Sequence, residues 1–181
     1  MKIGIIGLGY VGLPLFCNLA EFFEVFGIDI SKNKIHDLKL NKDFTGALNQ
    51  KELFLLKKNA SNISYDFKLV NQCDIYIITV PTPIDSDKRP NLTALKDSVN
   101  SISRFIKKGN LIILESTVYP GATKKYISEY IEKNTNLKLN VDFGVGYSPE
   151  RINPGDNAHN LTNTKKIISA SSEYFLNIVE E

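Results

Sequence analysis

The sequence contains no tryptophan, one methionine, two cysteines and two histidines. Cys17 and Cys73 have no ligand partner at finger-like spacing, and His36 and His159 stand far apart, so no metal site is expected. Two cysteines give no disulfide framework either, and both read as free thiols in a reducing compartment. Neither sign of charge prevails: 22 Lys and Arg face 20 Asp and Glu, a formal net charge of +2. The lysines punctuate apparent helices without forming a stripe, so no nucleic-acid partner is expected. No apolar run approaches the roughly 18 residues of a membrane span. Lys2 leads directly into a short glycine-containing run, unlike the apolar core and cleavage site of a secretory leader. The expected setting is cytoplasmic, without a membrane.

What the chain does contain is a regular alternation. Short apolar runs at Ile3–Ile6, Val25–Ile28, Ile75–Val80, Leu111–Leu114 and Phe143–Tyr147 read as buried strands. A strand is also expected over Ile63–Phe67, and a last one at Ile167 and Ile168. Between them, helical spacing runs over Val11–Phe23, from a Ser31 cap to Leu40, and over Lys51–Lys58, Leu92–Ile106, Thr123–Glu132 and Ser172–Glu181. Residues 84–91 and 148–163 read as loops. Strands alternating with helices at this pace predict an α/β fold: a Rossmann-like, doubly wound, mostly parallel sheet with helices on both faces. All 181 residues suit one such domain.

Gly7-Leu8-Gly9-Tyr10-Val11-Gly12 sits between the first strand and the first helix. A second strand ends at Asp29, 22 residues after Gly7, close to the spacing of a dinucleotide fingerprint. Gly7 permits the tight turn, Gly9 admits the pyrophosphate, and Gly12 lets helix and strand pack closely. The helix N-terminus, beginning near Tyr10 and Val11, offers amides to phosphate. Asp29 would accept hydrogen bonds from ribose hydroxyls and repel a 2′-phosphate, which favours NAD over NADP. Lys34 either lies against the ribose or adenine or is plain helix surface. In open sheets of this kind the ligand lies across the carboxyl ends of the strands. That rule nominates Val80-Pro81-Thr82-Pro83, Glu115-Ser116-Thr117 and Tyr147-Ser148-Pro149-Glu150.

With these residues in view, the sequence resembles the UDP-glucose/GDP-mannose dehydrogenase family. The matching stretches are IGIIGLGYVGLPL (3–15), Asp29, VPTP (80–83), ESTVYPGAT (115–123) and YSPERINPGD (147–156). The forms ESTVYPG and SPERINPGD look most like the branch acting on UDP-N-acetylhexosamines for capsule and O-antigen polysaccharides. The resemblance implies oxidation of the sugar C6 hydroxyl to a carboxylate with two NAD. It places Pro81, Thr82, Ser116 and Thr117 against the cofactor. It gives Thr117 a second place beside the substrate C6, where it holds a water or the reacting oxygen. It makes Glu150 the group that activates water or contacts the sugar. Arg151 either meets the substrate's phosphate or sugar or pairs with a neighbouring acid. The competing role for Thr117 and Glu150 is local capping of strand ends and loops.

The family implies more chain than is present here: a helix carrying a Lys and an Asn, a nucleophilic Cys, and a UDP-binding domain. Neither Cys17 nor Cys73 matches the nucleophile, so the 181-residue chain is expected to be inactive alone, as a truncated cofactor domain. A homodimer is expected of the complete enzyme. Two other readings stay open: a stand-alone NAD-binding module, and the cofactor domain of a UDP-glucose 6-dehydrogenase. A hydroxyacid or 6-phosphogluconate type of enzyme would not account for ESTVYPG and SPERINPGD together.

Overall fold

The computed structural model describes residues 1–150 and 165–180. The apolar runs form strands β1 (Lys2–Ile6), β2 (Glu24–Ile28), β3 (Ile63–Ser64), β4 (Ile75–Ile78), β5 (Asn110–Leu114) and β6 (Phe143–Tyr147), with a short β7 (Ser169–Ala170). Six α-helices are placed among the described residues: α1 (Gly12–Leu19), α2 (Lys32–Lys39), α3 (Gln50–Lys58), α4 (Thr93–Ser103), α5 (Glu129–Asn134) and α6 (Glu173–Glu180). The sheet runs β3-β2-β1-β4-β5-β6-β7. Strand pairs are parallel from β3 to β6, and β7 lies antiparallel on β6. Strand order therefore reverses between β1 and β4, the switch point of a doubly wound sheet.

The central strands are apolar along their whole length because helices cover both faces. On one face Leu95, Val99 and Ile102 of α4 and Ile131 of α5 pack with Tyr76, Ile78 and Ile112. On the other, Leu13 and Phe16 of α1, Leu55 and Leu56 of α3, and Phe175 of α6 pack with Ile5, Ile77 and Ile113. Local chemistry sets the helix starts. Ser31 caps α2 by accepting from the Lys34 amide, and Asn49 with Glu52 forms a reciprocal capping box on α3.

Four expectations shift. Helix α1 ends at Leu19, not Phe23, since the chain turns at Ala20–Phe22 and leaves Phe22 75% exposed. Strand β3 stops at Ser64, and a 3₁₀ turn over Phe67–Val70 follows, capped by Asp66. The helix expected at Thr123 opens with one π-helical turn, Lys124–Ser128, before α5. The last strand pairs at Ser169–Ala170, two residues beyond Ile167–Ile168.

Both thiols are buried. Cys17 and Cys73 have no exposed surface, and burial pushes each thiol from an ordinary 9.0 up to about 12. A thiol whose folded value is raised contributes stability that is complete below its unfolded value and is lost as pH climbs from about 9 toward 12. We expect neither cysteine to react with an aromatic disulfide reagent at neutral pH until denaturant is added. Circular dichroism should show thermal stability declining above about pH 9. Rapid labelling of the folded chain would contradict this placement.

Candidate functional site

The carboxyl ends of β1, β2, β4, β5 and β6 converge on one cleft of about 430 Å³. Its floor is the turn Gly7–Gly12. Gly7 takes φ +100°, and its amide bonds to the Ile28 carbonyl at 2.7 Å. A Cβ at Gly12 would collide with the Gly7 carbonyl oxygen and with Thr79 Oγ1. Thr79 Oγ1 donates to the Gly7 oxygen at 2.6 Å, so the end of β4 clamps the turn from beside it. At Gly9 a Cβ would meet nothing within 4 Å, so this backbone faces open space. Val11, the residue before α1, supplies no side-chain cap to the helix N-terminus.

Asp29 closes one end of the cleft. It is 8% exposed and accepts from the Leu8 amide at 3.2 Å and the Ser31 amide at 2.9 Å. Lys34 Nζ stands 3.6 Å from Asp29 Oδ2 and 5.0 Å over the Phe44 ring. Lys34 thus lines the cleft while keeping part of its side chain in solvent. An adjoining recess of about 210 Å³ shares Asp29 and Lys34 and is walled by Ile30 and by Ala94, Ser98 and Ser101 of α4. Sequence reasoning missed these α4 residues. Their signal is three small side chains at 94, 98 and 101, one helical face.

The other end is built by three loops. Pro81 and Thr82 follow β4, Ser116 and Thr117 follow β5, and Glu150 follows β6, all lining the same cleft with Tyr10 and Val11. Hydroxyl groups brace the first two loops. Thr82 Oγ1 donates to the Thr117 carbonyl at 2.5 Å, and buried Ser116 donates to the Val80 carbonyl at 2.7 Å. Glu115, nominated from sequence with its loop but given no role of its own, also lines the cleft, and both its carboxylate oxygens lie 2.7 Å from Lys166 Nζ. Tyr119 lines a different cavity and bonds to the Tyr126 hydroxyl at 3.0 Å. Arg151 and His159 lie outside the described residues. Among the described residues, no group of three or more His, Cys, Asp and Glu is placed to hold a metal ion. Nor is any helix among them long and apolar enough to cross a membrane.

The cleft fits a dinucleotide. It has an open glycine backbone beside a helix N-terminus, a buried carboxylate at one end, and a hydroxyl-rich wall at the other. The model for the NAD binding domain of the UDP-glucose/GDP-mannose dehydrogenase family matches residues 1–181. The chain belongs to this family. The match is to the family's NAD-binding domain, over the whole chain.

Relatives agree. The chain is 43% identical to UDP-N-acetyl-D-glucosamine 6-dehydrogenase of Pseudomonas aeruginosa over 99% of its own length and 42% of that protein's. It is 40% identical to the enzyme of the same name from Salmonella typhi, over 100% of this chain and 42% of the relative. The solved UDP-D-ManNAc dehydrogenase of Pyrococcus horikoshii superposes with a TM-score of 0.90 at 30% identity, over 99% of this chain and 43% of that one. The chain thus spans about two fifths of the length of the relatives it matches.

Proposed function

We propose that this chain is the cofactor half of a dehydrogenase that oxidises C6 of a UDP-N-acetylhexosamine to the uronic acid, for surface polysaccharide synthesis. The reading rests on one observation above all: Asp29 at one end and Thr117 and Glu150 at the other line a single cleft. The substrate class follows the two relatives named for UDP-N-acetyl-D-glucosamine.

In this reading the adenine enters the recess between Ile30 and α4, and Asp29 accepts from the ribose hydroxyls while Lys34 steadies it. Gly7, Gly9 and Gly12 bring the backbone to the pyrophosphate, with Tyr10 and Val11 at the start of α1. Pro81, Thr82 and Ser116 shape the wall against the nicotinamide ribose. NAD supplies the hydride acceptor for each of two oxidations. Alcohol, water and two NAD⁺ give carboxylate, two NADH and three protons, so one oxygen of the product comes from water. Thr117 holds that water or the reacting oxygen, Glu150 takes its proton, and Arg151 meets the substrate's phosphate or sugar. Water activation suits a carboxylate lining the cleft, within hydrogen-bond reach of a water held there. Neither Cys17 nor Cys73 can act as the covalent nucleophile, because both thiols are buried and held protonated.

A chimera tests this. Residues 1–181 joined to the remainder of the Pseudomonas aeruginosa relative should release two NADH per UDP-N-acetylglucosamine. The 181-residue chain alone should release none. Glu150→Gln in the chimera should lower kcat by about 10²–10⁴-fold with little change in NAD affinity. A chimera that folds, binds NAD and oxidises UDP-glucose but no N-acetylhexosamine would overturn the substrate assignment.

A further inference from the structure

The Glu115–Lys166 pair joins two distant parts of the chain. Glu115 follows β5, where its amide bonds to the Ile78 carbonyl at 2.8 Å. Lys166 lies in the segment leading to β7 and reaches both carboxylate oxygens at 2.7 Å. Side-chain exposure is 10% for Glu115 and 24% for Lys166. The Lys2–Glu24, Lys51–Glu21 and Lys108–Asp142 pairs all keep at least one partner more open to solvent. The Lys34–Asp29 pair likewise keeps its lysine 42% exposed, so among these described pairs water and salt screen Glu115–Lys166 least, and an ion pair this enclosed carries a desolvation cost that a surface brace does not.

Its position gives the pair a meaning. Glu115 lines the cleft beside Ser116, Thr117 and Glu150, at the end away from Asp29. If the cleft holds NAD as proposed above, on which this inference rests, that end receives the nicotinamide. The ring carries a positive charge in NAD⁺ and none in NADH. A lone carboxylate here would favour the oxidised cofactor over the reduced one. A lone ammonium would oppose the oxidised form.

We propose that Lys166 is a positioning residue that neutralises Glu115, so that the potential at the nicotinamide end does not tie the cleft to one redox state of the cofactor. Each single substitution then unmasks one charge of known sign. A unit charge about 12 Å from the ring, in an effective dielectric near 20, changes an affinity about tenfold. The proposal therefore needs no direct contact between the pair and the ring.

Calorimetric titration of the 181-residue chain with NAD⁺ and with NADH, at one near-neutral pH, measures the effect. The quantity read is the ratio of the NADH Kd to the NAD⁺ Kd. Lys166→Met should raise it by roughly three- to tenfold, and Glu115→Gln should lower it by a similar factor. The double variant should return to the wild-type ratio, and Lys166→Arg, which keeps the charge, should keep the ratio. A brace that merely holds the loop would weaken both cofactors together and leave the ratio unmoved. That result, or a shift of the same sign in both single variants, overturns the proposal. If Lys166→Met does not fold, Glu115→Gln and Lys166→Arg still decide it. Should the wild type bind neither cofactor, the NAD reading of the cleft fails first and takes this inference with it.

Discussion

Gly12→Ala is expected to cost the domain about 3 kcal/mol or more, and Gly9→Ala almost nothing, although both abolish or cripple cofactor binding. The difference comes from what a methyl group would meet. At Gly12 it collides with the Gly7 carbonyl oxygen, a backbone atom, and with the Thr79 hydroxyl that clamps that carbonyl. Neither can move without parting α1 from β1, whose contact is the floor of the cleft. For a domain of this size the loss corresponds to a fall in Tm of roughly 6–12 °C. At Gly9 the methyl would stand in open space, and the backbone there has no left-handed φ that disfavours alanine. Its stability should match the wild type. The same methyl would occupy the path of the pyrophosphate, and lost charge-assisted hydrogen bonds of about 1.5–3 kcal/mol predict an NAD Kd roughly 10- to 100-fold higher. Differential scanning calorimetry with NAD titration separates the two. Equal loss of stability in both variants would show that the turn is not packed as described.

Asp29→Asn is expected to move cofactor preference toward NADP by an order of magnitude or more. Two effects of one sign combine. The carboxylate that repels a 2′-phosphate is gone, and Lys34, whose ammonium stands 3.6 Å from it, loses its anionic partner and becomes available to phosphate. NAD affinity should fall about tenfold, since a charged acceptor for the ribose hydroxyls becomes a neutral one. The amide oxygen can replace only one of the two acceptors that serve the Leu8 and Ser31 amides, so a stability loss of about 1–3 kcal/mol accompanies the switch. Adding Lys34→Ala should remove most of the gain in NADP binding. If Asp29→Asn still prefers NAD by the wild-type factor, discrimination is made elsewhere.

Much of this is legible in the sequence because its signals are local. The glycine turn and Asp29 lie within one βαβ unit, and the parallel sheet follows once the alternation of apolar runs and helical segments is read. The loops at Thr82, Thr117 and Glu150 can be found because a parallel sheet puts every strand's carboxyl end on one edge. What escapes depends on partners far along the chain. The Thr79 clamp spans 72 positions and the Glu115–Lys166 pair spans 51, and no periodicity reports either. The end of α1 is overrun because Phe22 and Phe23 continue the apolar pattern, and no glycine or proline marks the turn. Strand β7 is misplaced because Ile167 looks like strand interior, while the pairing falls on Ser169 and Ala170 at the sheet edge.

The account stands on the cleft between Asp29 and Thr117 being an NAD site. Calorimetric titration of the 181-residue chain with NAD and with NADP addresses it most directly. We predict saturable binding of one NAD per chain, and NADP weaker by about tenfold or more, as a buried carboxylate facing a 2′-phosphate requires. A folded chain that gives no heat with NAD, or that binds both cofactors equally, would contradict it.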